Sequence, residues 1–147
     1  MKRMMAVSVL AMTMFAAACA TTYQSSDTSI AGGYSEVRLT PTSWRVLVEG
    51  NGFTERGEVE QFLMRRAAEL TLEQGMRYFV LENHRAWTNA RVDRDGDLIT
   101  SPANAAVVIA VAQQERDAFD AAKVVVETNA AAKAKLSAAA RRTLETM

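Results

Sequence analysis

Two spacings of apolar positions divide this chain. Val37 and Leu39 alternate with polar neighbours up to Thr40-Pro41, and Trp44, Val46 and Val48 then interleave with Arg45, Leu47 and Glu49. A period of two puts alternate side chains on one face, so this stretch predicts two short strands. Gly50-Asn51-Gly52 predicts a turn, because these residues enter positive φ at low cost. From Thr54 the period lengthens. Val59, Phe62, Leu63, Ala67 and Leu70 recur at helical spacing, widened by Met64 and Ala68. Thr54 as N-cap, Glu55 and Glu58 in the first turn and Gly75 at C′ give that helix its ends.

Tyr78 to Leu81 reads as a buried strand, running on toward Trp87. Asp95-Gly96, inside Val92 to Thr100, signals a hairpin turn. Ala105 to Ala112 is apolar and β-branched at Val107, Val108, Ile109 and Val111, which predicts a central strand. The order β-β-α-β-β implies an α+β fold: a sheet of about four strands with one packed helix over residues 34–112. After Gln113 the composition turns to Ala with Lys, so residues 113–147 predict a helical tail. Val124-Val125-Val126 resists that reading, since β-branched residues favour strand. A core confined to 34–112 supplies only ~3–5 kcal/mol, so packing of the tail or self-association is expected to help.

The N-terminus is written differently. Lys2 and Arg3 precede a run without charge from Met4 to Ala18, and Ala16-Ala17-Ala18 leads into Cys19. This has the three parts of an export signal spanning residues 1–18. The small residues before the thiol resemble the bacterial lipobox, with Cys19 as the lipidated residue, although Ala16 stands where that pattern favours Leu. Two other outcomes remain open: cleavage after Ala20 at an A-x-A site, or retention of the run as an anchor, for which Met4 to Ala20 is short. Ala20 in place of Asp after the Cys implies the outer membrane, facing the periplasm. The multiple chains on an acylated Cys19 would hold the protein to the lipid bilayer. Residues 19–33, rich in Thr, Ser and Gly, read as a flexible tether.

Seventeen basic and seventeen acidic residues leave no net charge. That argues against nucleic acid as a partner. With one Cys and one His, a disulfide framework and a Cys/His zinc site are excluded within one chain.

Gly50-Asn51-Gly52-Phe53-Thr54, Val59-Glu60, the run from Arg66 to Leu72, Gly75 and Phe79-Val80 form a pattern of their own. Together with Gly33 to Glu36 and Arg45-Val46, it resembles a family of small proteobacterial lipoproteins of uncharacterised activity. The likeness covers residues 33 to 82 and the lipobox. It implies localisation and fold, and it transfers no catalytic residue.

Several constellations invite chemistry. Asp93, Asp95 and Asp97 alternate as calcium ligands do, yet the sixth and twelfth places of an EF-hand loop counted from Asp93 hold Leu98 and Asn104. A solvated hairpin tip is the expectation. His84 is the natural general base, with Glu82 or Asp93 as candidate partners, but its setting in Glu82-Asn83-His84-Arg85 reads as an exposed strand end. Arg66 and Glu69 are spaced for an i,i+3 ion pair bordering the core, or for a recognition patch joined by Arg65. Trp44 and Trp87 read as core, with ligand stacking the alternative. Lys133, Lys135, Arg141 and Arg142 in the tail read as a solvated face, with peptidoglycan or anionic lipid as alternative contacts. No phosphate loop, nucleophile elbow, dinucleotide fingerprint or zincin motif occurs. The expectation is therefore a lipid-anchored, non-enzymatic module that needs no cofactor or metal and binds an envelope protein or small envelope ligand. The competing readings are a hydrolase-like enzyme built around His84 and an assembly protein acting through its C-terminal helix.

Overall fold

A computed structural model describes Tyr23 and residues 32–145, with side chains described up to residue 138 except at 136. The signal sequence and Cys19 lie outside the described residues. Strands β1 (Gly33–Thr40) and β2 (Ser43–Glu49) precede helix α1 (Arg56–Glu73). Strands β3 (Tyr78–Val92), β4 (Leu98–Val111) and β5 (Phe119–Asp120) follow, and helix α2 (Ala121–Glu145) ends the chain. The fold is α+β, with one antiparallel sheet in the order β1-β2-β4-β3-β5. The expected sheet of about four strands has five, because two residues ahead of α2 pair with the start of β3.

Turn chemistry sets the register. Pro41-Thr42 closes β1 onto β2, with Thr40 opposite Ser43 and their hydroxyls 2.6 Å apart. At Gly50, whose N–H donates to Pro102 O of β4 at 2.8 Å, a Cβ would stand 2.7 Å from that of Thr54 and 3.1 Å from Pro102 Cγ. Only glycine fits there. Helix α1 starts one residue later than expected: Glu55 is the N-cap, and the Glu58 carboxylate accepts its N–H at 3.0 Å. Thr54 is buried instead, its hydroxyl hydrogen-bonded to the Asn51 side chain. The end of α1 matches the expected one. Gly75, at φ +72°, donates to Leu72 O while Met76 donates to Thr71 O, the paired bonds of a Schellman motif.

β3 and β4 run well beyond the expected segments. Both continue to a turn in which the Asp93 carboxylate accepts the N–H groups of Asp95 and Asp97, each at 2.9 Å, with Gly96 at φ +90°. Pro102 is tolerated within β4 because pairing with β2 stops at Ala103, so its missing N–H faces no partner strand.

The core lies between the sheet and the helices. Trp44, Val46, Val48, Phe79, Ala106, Val108 and Ala110 point from the sheet toward Val59, Leu63, Ala67 and Leu70 of α1. Helix α2 lies antiparallel beside α1. Ala121 and Val124 join the core near the end of α1, and Lys135 reaches Glu58 at 2.8 Å near its start. The three consecutive valines are therefore helical: burial of Val124 outweighs their strand preference.

Candidate functional site

Both helices cover the same side of the sheet. The register places Val37, Leu47, Ala105, Val107, Ile109, Val111, Val80 and Tyr78 on the opposite face. None of these is fully buried, and Val37 is 60% exposed. Arg45 and Glu49 on β2, with Glu82 and Arg85 on β3, carry charge on the same side and are exposed. A strip of aliphatic side chains bordered by charges of both signs, on a rigid sheet, is a surface able to dock an apolar patch ringed by polar groups.

The other side of the molecule is rich in ion pairs. Arg66 forms a two-pronged pair with Glu36 of β1, Nε to Oε2 at 2.5 Å and Nη2 to Oε1 at 2.7 Å. It also reaches Glu69 at 3.3 Å and Glu73 at 3.2 Å. The hydrogen bonds to Glu36 raise the Arg66 pKa well above its usual range. The i,i+3 pair with Glu69 was legible in the spacing, but its stronger partner, thirty positions upstream on β1, was not.

Tyr23 completes this cluster. Its hydroxyl donates to Glu69, its ring lies 5.1 Å from Tyr34 and 5.4 Å from Phe62, and the Arg65 guanidinium sits 4.3 Å above it. Burial, followed by the hydrogen bond to Glu69, pushes the Tyr23 phenol up, so the hydroxyl remains a donor at neutral pH. No hydrophobic period announced Tyr23, since it stands alone in a polar stretch.

His84 lies within β3 rather than at its end. It is exposed within a bulge, where Asn83 takes φ 51° and Asn83 and His84 of β3 stand opposite Ala106 alone on β4. The open hollow beside it is lined by Arg85, Ala86, Trp87 and Ala105. Asp93 lies nine positions on, in the turn just past the end of β3, about 30 Å away at the rise of extended chain. Neither hydrogen bond nor ion pair joins His84 to Glu82 or Asp93 among the described residues. The pairing suggested for an enzyme is not assembled.

The Asp93 carboxylate is engaged in holding the hairpin turn, and no group of three candidate metal ligands gathers among the described residues. Trp44 is core. Trp87 is not: it is 40% exposed, with its indole N–H donating to Asn89 at 3.0 Å, because there β3 is flanked by β4 alone and its side chain lies on the face away from the helices. Lys135 is tied to Glu58 and, at 3.8 Å, to Glu55, while Lys133 is exposed. The side chains of Arg141 and Arg142 lie outside the described part. Among the described residues no helix is long and apolar enough to cross a membrane.

Compared with models of known protein families, with curated proteins and with solved structures, the chain matched none.

Proposed function

We propose that this protein is a lipoprotein held by acylated Cys19 to the outer membrane, facing the periplasm, and that its folded part binds an envelope protein through the open face of the sheet. The observation that carries the binding role is the one-sided burial of that sheet. A small domain with an unmet need for core gains from covering Leu47, Val107 and Ile109, and a partner is one way to cover them. The anchor rests on the lipobox-like run from Ala16 to Cys19 and on a leader that carries charge only at Lys2 and Arg3.

Two measurements test the parts separately. Cys19→Ala should release the protein into the soluble periplasmic fraction; unchanged membrane retention removes the lipid anchor from the account. For the binding face, a photo-crosslinking side chain at Arg45 should yield an adduct of discrete mass in living cells, and the same group at Val126 on the outside of α2 should not. Equal adducts from both sites, or none from Arg45, would defeat the open-face role.

A further inference from the structure

We infer that Tyr23 is a latch that keeps the β1 edge of the domain against the bilayer surface and turns the β5 and α2 edge away from it. The inference rests on the lipid anchor proposed above and adds to it a stand-off distance and an orientation.

The contacts of Tyr23 reach two elements of the chain beyond its own segment, β1 and α1. Its ring packs on Tyr34 of β1 and Phe62 of α1, and its hydroxyl is held by Glu69. Arg65 closes over the ring and pairs with the same Glu69 at 3.0 Å, so the phenol and the guanidinium share one carboxylate. Glu69 is in turn bound by Arg66, which is clamped to Glu36 of β1. The latch is thus tied to the strand and the helix that define this edge of the fold.

Chain length converts the latch into geometry. Only three residues separate Cys19 from Tyr23, so the Tyr23 backbone lies within ~14 Å of that of Cys19 even in fully extended chain. A tether free up to Gly33 would reach ~50 Å by the same measure. The sheet order places β1 and β5 at opposite edges, four strand spacings or ~19 Å apart. Tyr23, Phe62, Arg65 and Glu69 lie on the flank of α1 that faces β1, whereas α2 packs on its other flank, near Met64 and Gln61. With the latch closed, the bilayer meets the flank that carries Phe62 and Arg65, and α2 projects into the periplasm.

The test uses the acylated full-length protein in vesicles of phosphatidylethanolamine and phosphatidylglycerol carrying a headgroup nitroxide. A fluorophore is placed on an introduced thiol, either Val37→Cys on β1 or Val126→Cys on α2, both exposed positions. The β1 probe should be quenched several-fold more than the α2 probe, and Tyr23→Ala should remove most of that difference. Tyr23→Phe, which keeps the ring contacts and loses the bond to Glu69, should fall between. Mass spectrometry of the same samples reports the state of Cys19. Equal quenching of the two probes, or a difference that survives Tyr23→Ala, overturns the latch when Cys19 carries its acyl chains. A bare thiol at Cys19 overturns the anchor, and the stand-off with it.

Discussion

The two faces of this sheet are built from adjacent residues and treated in opposite ways. Val46, Val48, Val108 and Ala110 are sealed under α1, while Leu47, Val107, Ile109 and Val111, one position away, are only partly covered. The composition of the two sets is nearly the same. What differs is the layer above: both helices sit on one side and nothing described sits on the other. Apolar content therefore does not identify the core of a two-layer fold. The side chosen by the amphipathic helix does.

The largest effect that would sharpen this contrast is expected at Leu63, which is fully buried in α1 against the covered face. Leu63→Ala should cost about 2–5 kcal/mol, read from urea unfolding, since it leaves a cavity that rigid strands cannot fill. On a domain of this size such a loss would leave a measurable unfolded fraction at 37 °C.

A smaller effect is expected at the rim. Arg66→Lys keeps the charge but gives up the two-pronged bond to Glu36. With the Arg66 side chain 13% exposed and that of Glu36 28% exposed, solvent screening lowers the expected loss to about 1 kcal/mol. Thermal unfolding at low and high salt would check it. A loss as large as that of Leu63→Ala would show that ion pairing, rather than the covered apolar face, holds the edge.

Much of this division could be read in the sequence, and the failures have physical causes. The alternation of Trp44, Val46 and Val48, the stripe of α1 and the Gly75 stop are local signals, and each lies where expected. β3 was cut short because residues 82–92 are exposed on both sides, and a strand with no buried face carries no period of two. Trp87 was assigned to the core on ring size alone, but burial needs a covering element, which this part of β3 lacks. The Arg66–Glu36 clamp joins residues thirty positions apart, and the Tyr23 latch reaches Phe62 and Glu69 across still longer separations. Spacing rules describe neighbours on one element and are silent on partners that only folding brings together.

Acid should distinguish the α2 edge from the sheet itself. The Arg77 guanidinium, by hydrogen bond, and the Lys123 N–H hold the Asp120 carboxyl below its ordinary value. A depressed pKa in the folded state contributes stability above the unfolded value of ~3.9, and that contribution is lost as pH falls through the folded value. Asp120→Asn should therefore flatten the acid limb of stability below about pH 4 while leaving the neutral region with a uniform offset. The check is a series of urea unfolding curves from neutral pH down to the acid limb. An unchanged acid limb would mean that the β5–α2 junction is held by Phe119 stacking on Phe79, at 5.3 Å, and not by the ion pair.

The smallest effect is the one that bears most directly on the open face. Val107→Thr replaces a methyl by a hydroxyl on a half-covered position and keeps the β-branch that suits a strand, so the cost to stability should stay below about 0.5 kcal/mol. The same change one residue on, Val108→Thr, would bury that hydroxyl under α1 and cost about 1–3 kcal/mol. If the open face binds a partner, Val107→Thr should weaken the crosslink from Arg45 although the domain remains as stable as before, because Val107 is opposite Arg45 in the register. A Val107→Thr loss matching that of Val108→Thr would mean that the face is covered within the protein itself. The two faces would then be alike, and no surface would be left over for a partner.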